Sequence, residues 1–203
     1  MIIKKQYNNK GKRYIQDVIF SNINIESNAL VLGGPNFKEY ISFINEKVAK
    51  NKDCKINSYE IDNDSLNNQI QDYRNFNKKL AKKVRINCSN IKLAKAERFI
   101  DLDLMGNICT QNHIIKRLFN KQNKIQSDYN KVFMFTVSMR QSTLKDTLDF
   151  IKKLLLLKKL ELLNKVSLEY GCEYKLDYKS SKYKVSLHTY RDGCPMLNCC
   201  ISY

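Results

Sequence analysis

The chain has no tryptophan, two prolines and six glycines in 203 residues. That scarcity excludes collagen-like, proline-rich and linker-dominated chains. Long apolar runs are missing too. Leu154 to Leu157 is bracketed by lysine pairs, far short of the roughly 20 residues a spanning helix needs. Met1 to Arg13 carries charge where a secretion signal would need its apolar stretch. A soluble, intracellular protein is therefore expected, cytoplasmic in location, or in the host cytoplasm if viral. Histidine is scarce as well: His113 and His188 are the two in the chain. Seven cysteines, an odd number with no CxxC pair, read as buried or idle thiols. No metal site is expected, and the role of Cys194, Cys199 and Cys200 stays open.

Acidic residues are also in short supply, 20 against 36 Lys plus Arg, for a net charge of +16. Such an excess attracts polyanions, which speaks to partners and not to fold. The basic residues are grouped. Lys4, Lys5, Lys10, Lys12 and Arg13 form an N-terminal arm with Tyr7 and Tyr14 among them, and Lys78, Lys79, Lys82, Lys83 and Arg85 form a second group. Lys116, Arg117, Lys121 and Lys124 form a third, and Lys152, Lys153, Lys158 and Lys159 a fourth. Nucleic-acid contact is one reading of these groups. Solvated faces in a Lys- and Asn-rich, AT-coded chain are the other. The same Lys/Asn/Ile bias suggests a virus or mobile element as the source.

What is present is an alternation of apolar runs with segments of helical period, the mark of a parallel sheet with crossover helices. Ala29 to Leu32 is a buried strand that turns through Gly33, Gly34 and Pro35. Behind it Phe37, Tyr40, Ile41, Ile44 and Val48 share one helical face, with Asn36 as N-cap and Glu39 three residues on. Lys55 to Asp62 is a second strand with acids at its end. Asp64 then caps a helix with Leu66, Ile70, Tyr73 and Leu80 on one side. Val84 to Ile86 is a third strand, leading to Asn87-Cys88-Ser89-Asn90. Arg98 to Asp103 is a fourth, turning at Met105-Gly106-Asn107 into a helix carrying Ile108, Ile115, Leu118 and Phe119. Lys131 to Val137 reads as fully buried, and Thr143 with Asp146 forms a capping box for a long helix through Leu144, Leu148, Ile151, Leu155 and Leu162. From Cys172 onward only strand-like pieces remain: Tyr174 to Tyr178, Tyr183 to Tyr190 and Met196 to Tyr203. Arg191-Asp-Gly-Cys-Pro195 is a hairpin turn between the last two.

Five β/α units closed by an antiparallel hairpin resemble the class I S-adenosylmethionine-dependent methyltransferase family, over Asn28 to Tyr203. The resemblance implies a Rossmann-like three-layer α/β sandwich, with a mostly parallel seven-stranded sheet ending in the C-terminal antiparallel hairpin. It also implies residues 1–27 as a basic arm or helix and 28–203 as one domain. By resemblance, Gly33, Gly34 and Pro35 stand where the family's glycine turn approaches the cofactor S-adenosylmethionine. Two departures are visible: Val31 or Asn28 replaces the usual strand acid, and the loop is one residue short. Glu60, with Asp62 as fallback, stands where the family holds the ribose hydroxyls, and Asn87 or Ser89 where it contacts the adenine amine. Asp103 and Asp101 face the methyl group in the same likeness, as catalytic residues. The Asp101-Leu-Asp103-Leu-Met-Gly106 string is faintly similar to transfer-RNA guanine dimethyltransferases. It is neither the Asn/Asp-Pro-Pro-aromatic motif nor a Pro-Cys nucleophile, and Cys109 lies a helical turn too late for that role.

Each site residue has a structural counterpart reading. Gly33 and Gly34 suit any tight strand-to-helix turn, Glu60 a solvated strand end, and Asp103 a helix cap. His113 reads as a surface residue, and Arg191, Asp192 and Pro195 as ordinary turn chemistry. The leading expectation is a methyltransferase acting on RNA or DNA, with Lys78, Lys79, Lys82, Lys83, Arg85, Lys12 and Arg13 on phosphates. The alternatives are a non-catalytic Rossmann-like module that binds nucleic acid or a viral partner, and a small-molecule methyltransferase.

Overall fold

The computed structural model describes Phe20 and residues 25–33, 37–127, 129–167, 172–191 and 194–203. The expected N-cap Asn36, together with Gly34, Pro35, Lys12, Arg13 and Asp192, lies outside them. The chain runs β1 (Ala29–Leu32), α1 (Phe37–Lys47), β2 (Ile56–Glu60), α2 (Asn63–Arg74), α3 (Lys78–Ala81) and β3 (Val84–Cys88), then a 3-10 turn (Ile91–Leu93). There follow β4 (Phe99–Asn107), α4 (Ile108–Asn123), β5 (Val132–Ser138) and α5 (Leu144–Leu154). The strands β6 (Glu161–Ser167), β7 (Cys172–Lys179), β8 (Lys184–Arg191) and β9 (Pro195–Ser202) complete it.

All strands join one sheet in the order β3-β2-β1-β4-β5-β9-β8-β7-β6. The five strands that alternate with helices are parallel, as the crossover rhythm requires. The chain builds outward from β1 to β3 and then returns to the other side of β1 with β4. That reversal marks the carboxyl ends of β1 and β4 as the place where open parallel sheets bind ligands. Helices cover both faces. Leu30, Ile100, Phe133 and Phe135 pack with Ile108, Ile115 and Ile151 on one side. Ala29, Val31, Phe99 and Met134 pack with Phe37, Ile41 and Ile44 on the other. Phe20 and Ile25, both 2% exposed, belong to this second core, Phe20 tilted against Phe43 and Phe99.

Three sequence expectations change. Among the described residues the sheet has nine strands, not seven, and four of its ladders are antiparallel. The reason is that the long helix stops at Leu154 and Leu162 joins β6. Leu156 adopts a left-handed φ of 56°, which ends the helix after its Leu155 cap. Secondly, α2 is capped by Asp62 and not Asp64, because the Asp62 carboxylate accepts from Ser65 N at 2.8 Å. Thirdly, α2 buries Gln69 while Ile70 and Tyr73 are 38% and 37% exposed, and Leu80 sits on α3. The Thr143–Asp146 capping box forms as expected.

β4 runs past Asp103 to Asn107 through an irregular stretch opposite β5. Gly106 there has φ of +114°, and a Cβ would come within 2.8 Å of Thr110 Oγ1. Glycine is needed for that turn, after which Asn107 caps α4 by accepting from Thr110 N at 3.1 Å.

Candidate functional site

The carboxyl ends of β1, β2, β3 and β4 bring together Gly33, Glu60, Asn87 and Asp103. Gly33 is buried at the end of β1, and a Cβ on it would lie 2.6 Å from both a Phe37 ring carbon and Ser58 Oγ. The turn thus lies hard against β2, which only a residue without a side chain permits. Glu60, at the tip of β2, is held on several sides. Its Oε1 accepts from the backbone amides of Ile61 and Asp62 at 2.8 and 2.9 Å, and Gln69 Nε2 donates to its Oε2 at 3.2 Å. A carboxylate offers about four accepting positions, so capacity remains for a hydroxyl.

Asn87 stands beside Tyr59 in the β2–β3 ladder. Its Nδ2 donates to Ser58 O at 3.0 Å, which leaves its Oδ1 accepting capacity unused by that bond. Ser89 follows β3 and is half-buried. Asp62, the fallback, caps α2 through its Oδ2, which accepts from Ser65 N. That bond with Ser65 holds the carboxyl below its ordinary range.

The two aspartates of β4 separate. Asp103 is exposed on the strand opposite Thr136. Asp101, two residues deeper on the same face, is 5% exposed and accepts from Tyr40 Oη at 2.6 Å. Asp101 therefore anchors α1 through Tyr40. Burial raises the Tyr40 phenol well above its usual range, and the Asp101 charge adds to this. Cys109 and His113 are exposed on α4.

A polar row extends from Asp103 across the sheet, through the register partners Thr136, Asn198 and His188. Asn198 Nδ2 donates to Thr136 Oγ1 at 3.0 Å. His188 is 1% exposed, and neither ring nitrogen has a hydrogen-bond partner. Burial, reinforced by the Lys175 charge, pushes its pKa down to about 4. The row was not legible in sequence, because pairing of distant strands alone creates it.

The basic group splits in a similar way. Lys78, Lys79, Lys82 and Arg85 are exposed, but α3 leads into the amino end of β3, away from the cleft. Lys83 is 4% exposed, and its Nζ donates to Asn45 Oδ1, Ala49 O and Lys50 O at 3.1, 2.7 and 3.4 Å. It satisfies carbonyls after α1 and is removed from the phosphate set. A cavity of about 410 Å³ lined by Ser27, Asn51, Asp53, Cys54, Glu97 and Arg98 opens at this same amino edge. Parallel sheets bind ligands at the opposite edge, so the cleft of Gly33, Glu60 and Asp103 is the candidate site. Among the described residues no His/Cys/Asp/Glu cluster could hold a metal ion, and no helix is long and apolar enough to cross a membrane.

No family model and no curated protein matches this sequence. Solved structures do resemble it. The methyltransferase domain of bacterial CtHen1-CN is 10% identical, covers 96% of this chain and 99% of its own, and superposes with a TM-score of 0.57. A Clostridium thermocellum protein named for an inferred rRNA methylase activity is 11% identical over 95% of this chain and 94% of its own, at 0.51. Sp1610 from Streptococcus pneumoniae, named for an inferred tRNA (m1A22) methyltransferase activity, is 10% identical over 92% and 68%, at 0.53. This chain has the class I methyltransferase fold.

Proposed function

We propose that this chain is an S-adenosylmethionine-dependent methyltransferase acting on nucleic acid, RNA or DNA. The observation that carries the reading is Glu60, a carboxylate fixed at the carboxyl end of β2 beside the close-packed Gly33 turn. The donor set suits the cofactor: Glu60 Oε2 can accept from a ribose hydroxyl and Asn87 Oδ1 from an adenine amine. Gly33, with Gly34 and Pro35, would lie under the cofactor, and Ser89 beside its base. S-adenosylmethionine, when bound, supplies a methyl group on a sulfonium sulfur, open to attack by a lone pair. Asp103 would accept a hydrogen bond from the acceptor amine or hydroxyl, orient that lone pair and take the released proton.

The net charge of +16 and fold neighbours named for rRNA and tRNA methylation support a polynucleotide acceptor. Lys78, Lys79, Lys82 and Arg85, with Lys12 and Arg13, would hold phosphates and not the acceptor base, since α3 stands at the far edge of the sheet. Residues 28–203, together with Phe20 and Ile25 of their second core, would form the catalytic domain, acting in the cytoplasm, with a basic arm before them.

Calorimetric titration with S-adenosylmethionine and S-adenosylhomocysteine tests the reading. Micromolar binding that is weakened but still measurable in Glu60→Ala supports it. Silence from folded wild-type protein favours the second reading, a non-catalytic nucleic-acid module; the three hydrogen bonds that Glu60 already accepts are the observation on its side.

A further inference from the structure

A helix that buries an amide while leaving an isoleucine outside needs a reason. On α2 Gln69 is 0% exposed and Ile70, next to it, is 38% exposed. An amide taken out of water without hydrogen bonds costs about 1–3 kcal/mol in proteins. Gln69 uses both ends of its side chain. Ser58 Oγ donates to its Oε1 at 3.2 Å, and its Nε2 donates to Glu60 Oε2 at 3.2 Å. An ionised carboxylate accepts only, so the nitrogen end must face Glu60.

The other end of this relay touches the glycine turn. Ser58 Oγ occupies space 2.6 Å from where a Gly33 Cβ would stand. The β1 turn and the Glu60 carboxylate are thus linked through one buried amide on a neighbouring helix. Backbone amides hold Oε1 of Glu60, and Gln69 holds Oε2, the oxygen with room for a ligand hydroxyl.

We propose that Gln69 is a positioning residue that orients Glu60 Oε2 toward the ribose hydroxyls of the cofactor. The proposal rests on the reading of Glu60 as a ribose ligand. Gln69 is fully buried and acts through Glu60.

The test is a double-mutant cycle read by calorimetry with S-adenosylhomocysteine: wild type, Gln69→Leu, Glu60→Ala and the double variant, each checked by thermal melting. Gln69→Leu should weaken binding about tenfold, as expected for a lost hydrogen bond to a charged group. In the Glu60→Ala background it should weaken binding no further, since the path through Glu60 is gone. Gln69→Met serves in the same cycle if the leucine variant does not fold. A probe without the 2′- and 3′-hydroxyls, 2′,3′-dideoxyadenosine, should bind wild type and Gln69→Leu alike. Equal losses in both backgrounds, or no loss in Gln69→Leu, overturn the proposal and leave the cofactor reading intact. Absence of binding to folded wild type overturns both.

Discussion

The Tyr40 hydroxyl on α1 donates to the buried Asp101 carboxylate on β4 at 2.6 Å. This contact ties the first helix to the strand on the far side of the topological switch, directly beneath the candidate cleft. Tyr40→Phe should cost about 1.5–3 kcal/mol, the range for a hydrogen bond to a charged group. Urea unfolding measures it, and a midpoint equal to wild type would show that the contact carries no stability.

Gly33→Ala should destabilise, because the new methyl meets a Phe37 ring carbon and Ser58 Oγ, each at 2.6 Å. Overpacking of this kind costs about 1–3 kcal/mol. Ser58→Ala removes one of the two obstacles, so the double variant should recover part of the loss. Simple additivity in thermal melts would mean that Ser58 is not the obstacle.

His188 sets an acid limit. Its folded pKa, about 4, lies below the unfolded value of 6.5. Between these values the unfolded chain binds the proton and the native one does not, so stability falls as pH drops from 6.5 toward 4. The full difference is about 3 kcal/mol. Unfolding free energies across that window should flatten in His188→Leu; an unchanged slope would assign the acid sensitivity to other groups.

The lysine group should divide by role. Lys83→Met removes a buried ammonium from the Ala49 and Lys50 carbonyls and the Asn45 amide. It should lower stability by about 1–3 kcal/mol. Lys79→Ala and Lys82→Ala, on the exposed side, should leave the melting temperature in place. They should also reduce the salt slope of RNA or DNA binding by about one each if those lysines meet phosphates. Filter binding at several salt concentrations reads the slope, and equal slopes in variants and wild type would remove this group from the interface.

Much of the framework was legible one segment at a time. The Ala29–Leu32 run, the Phe37, Ile41 and Ile44 stripe and the Thr143–Asp146 box are local patterns, and local physics realises them. The errors fell where a segment's partner decided its state. Leu162 continues a helical period in sequence, yet joins β6 because β7 offers it a ladder to pair with. Asp62 and Asp64 are alike as residue types, and the backbone angle of entry into α2 chose Asp62.

For this protein the sequence alone determined the β/α rhythm, the glycine turn at Gly33, the acid at the tip of β2 and the excess of positive charge. Those are properties of spacing and composition, which a linear chain carries by itself. Tertiary structure alone decided that Gln69 reaches Glu60, that Asp101 is spent on Tyr40, that Lys83 is buried and that His188 joins a row starting at Asp103. Each of these depends on which strands become neighbours and which way a helix turns its side chains. Burial and hydrogen bonding across large sequence separations then set whether a polar group faces ligand, solvent or core.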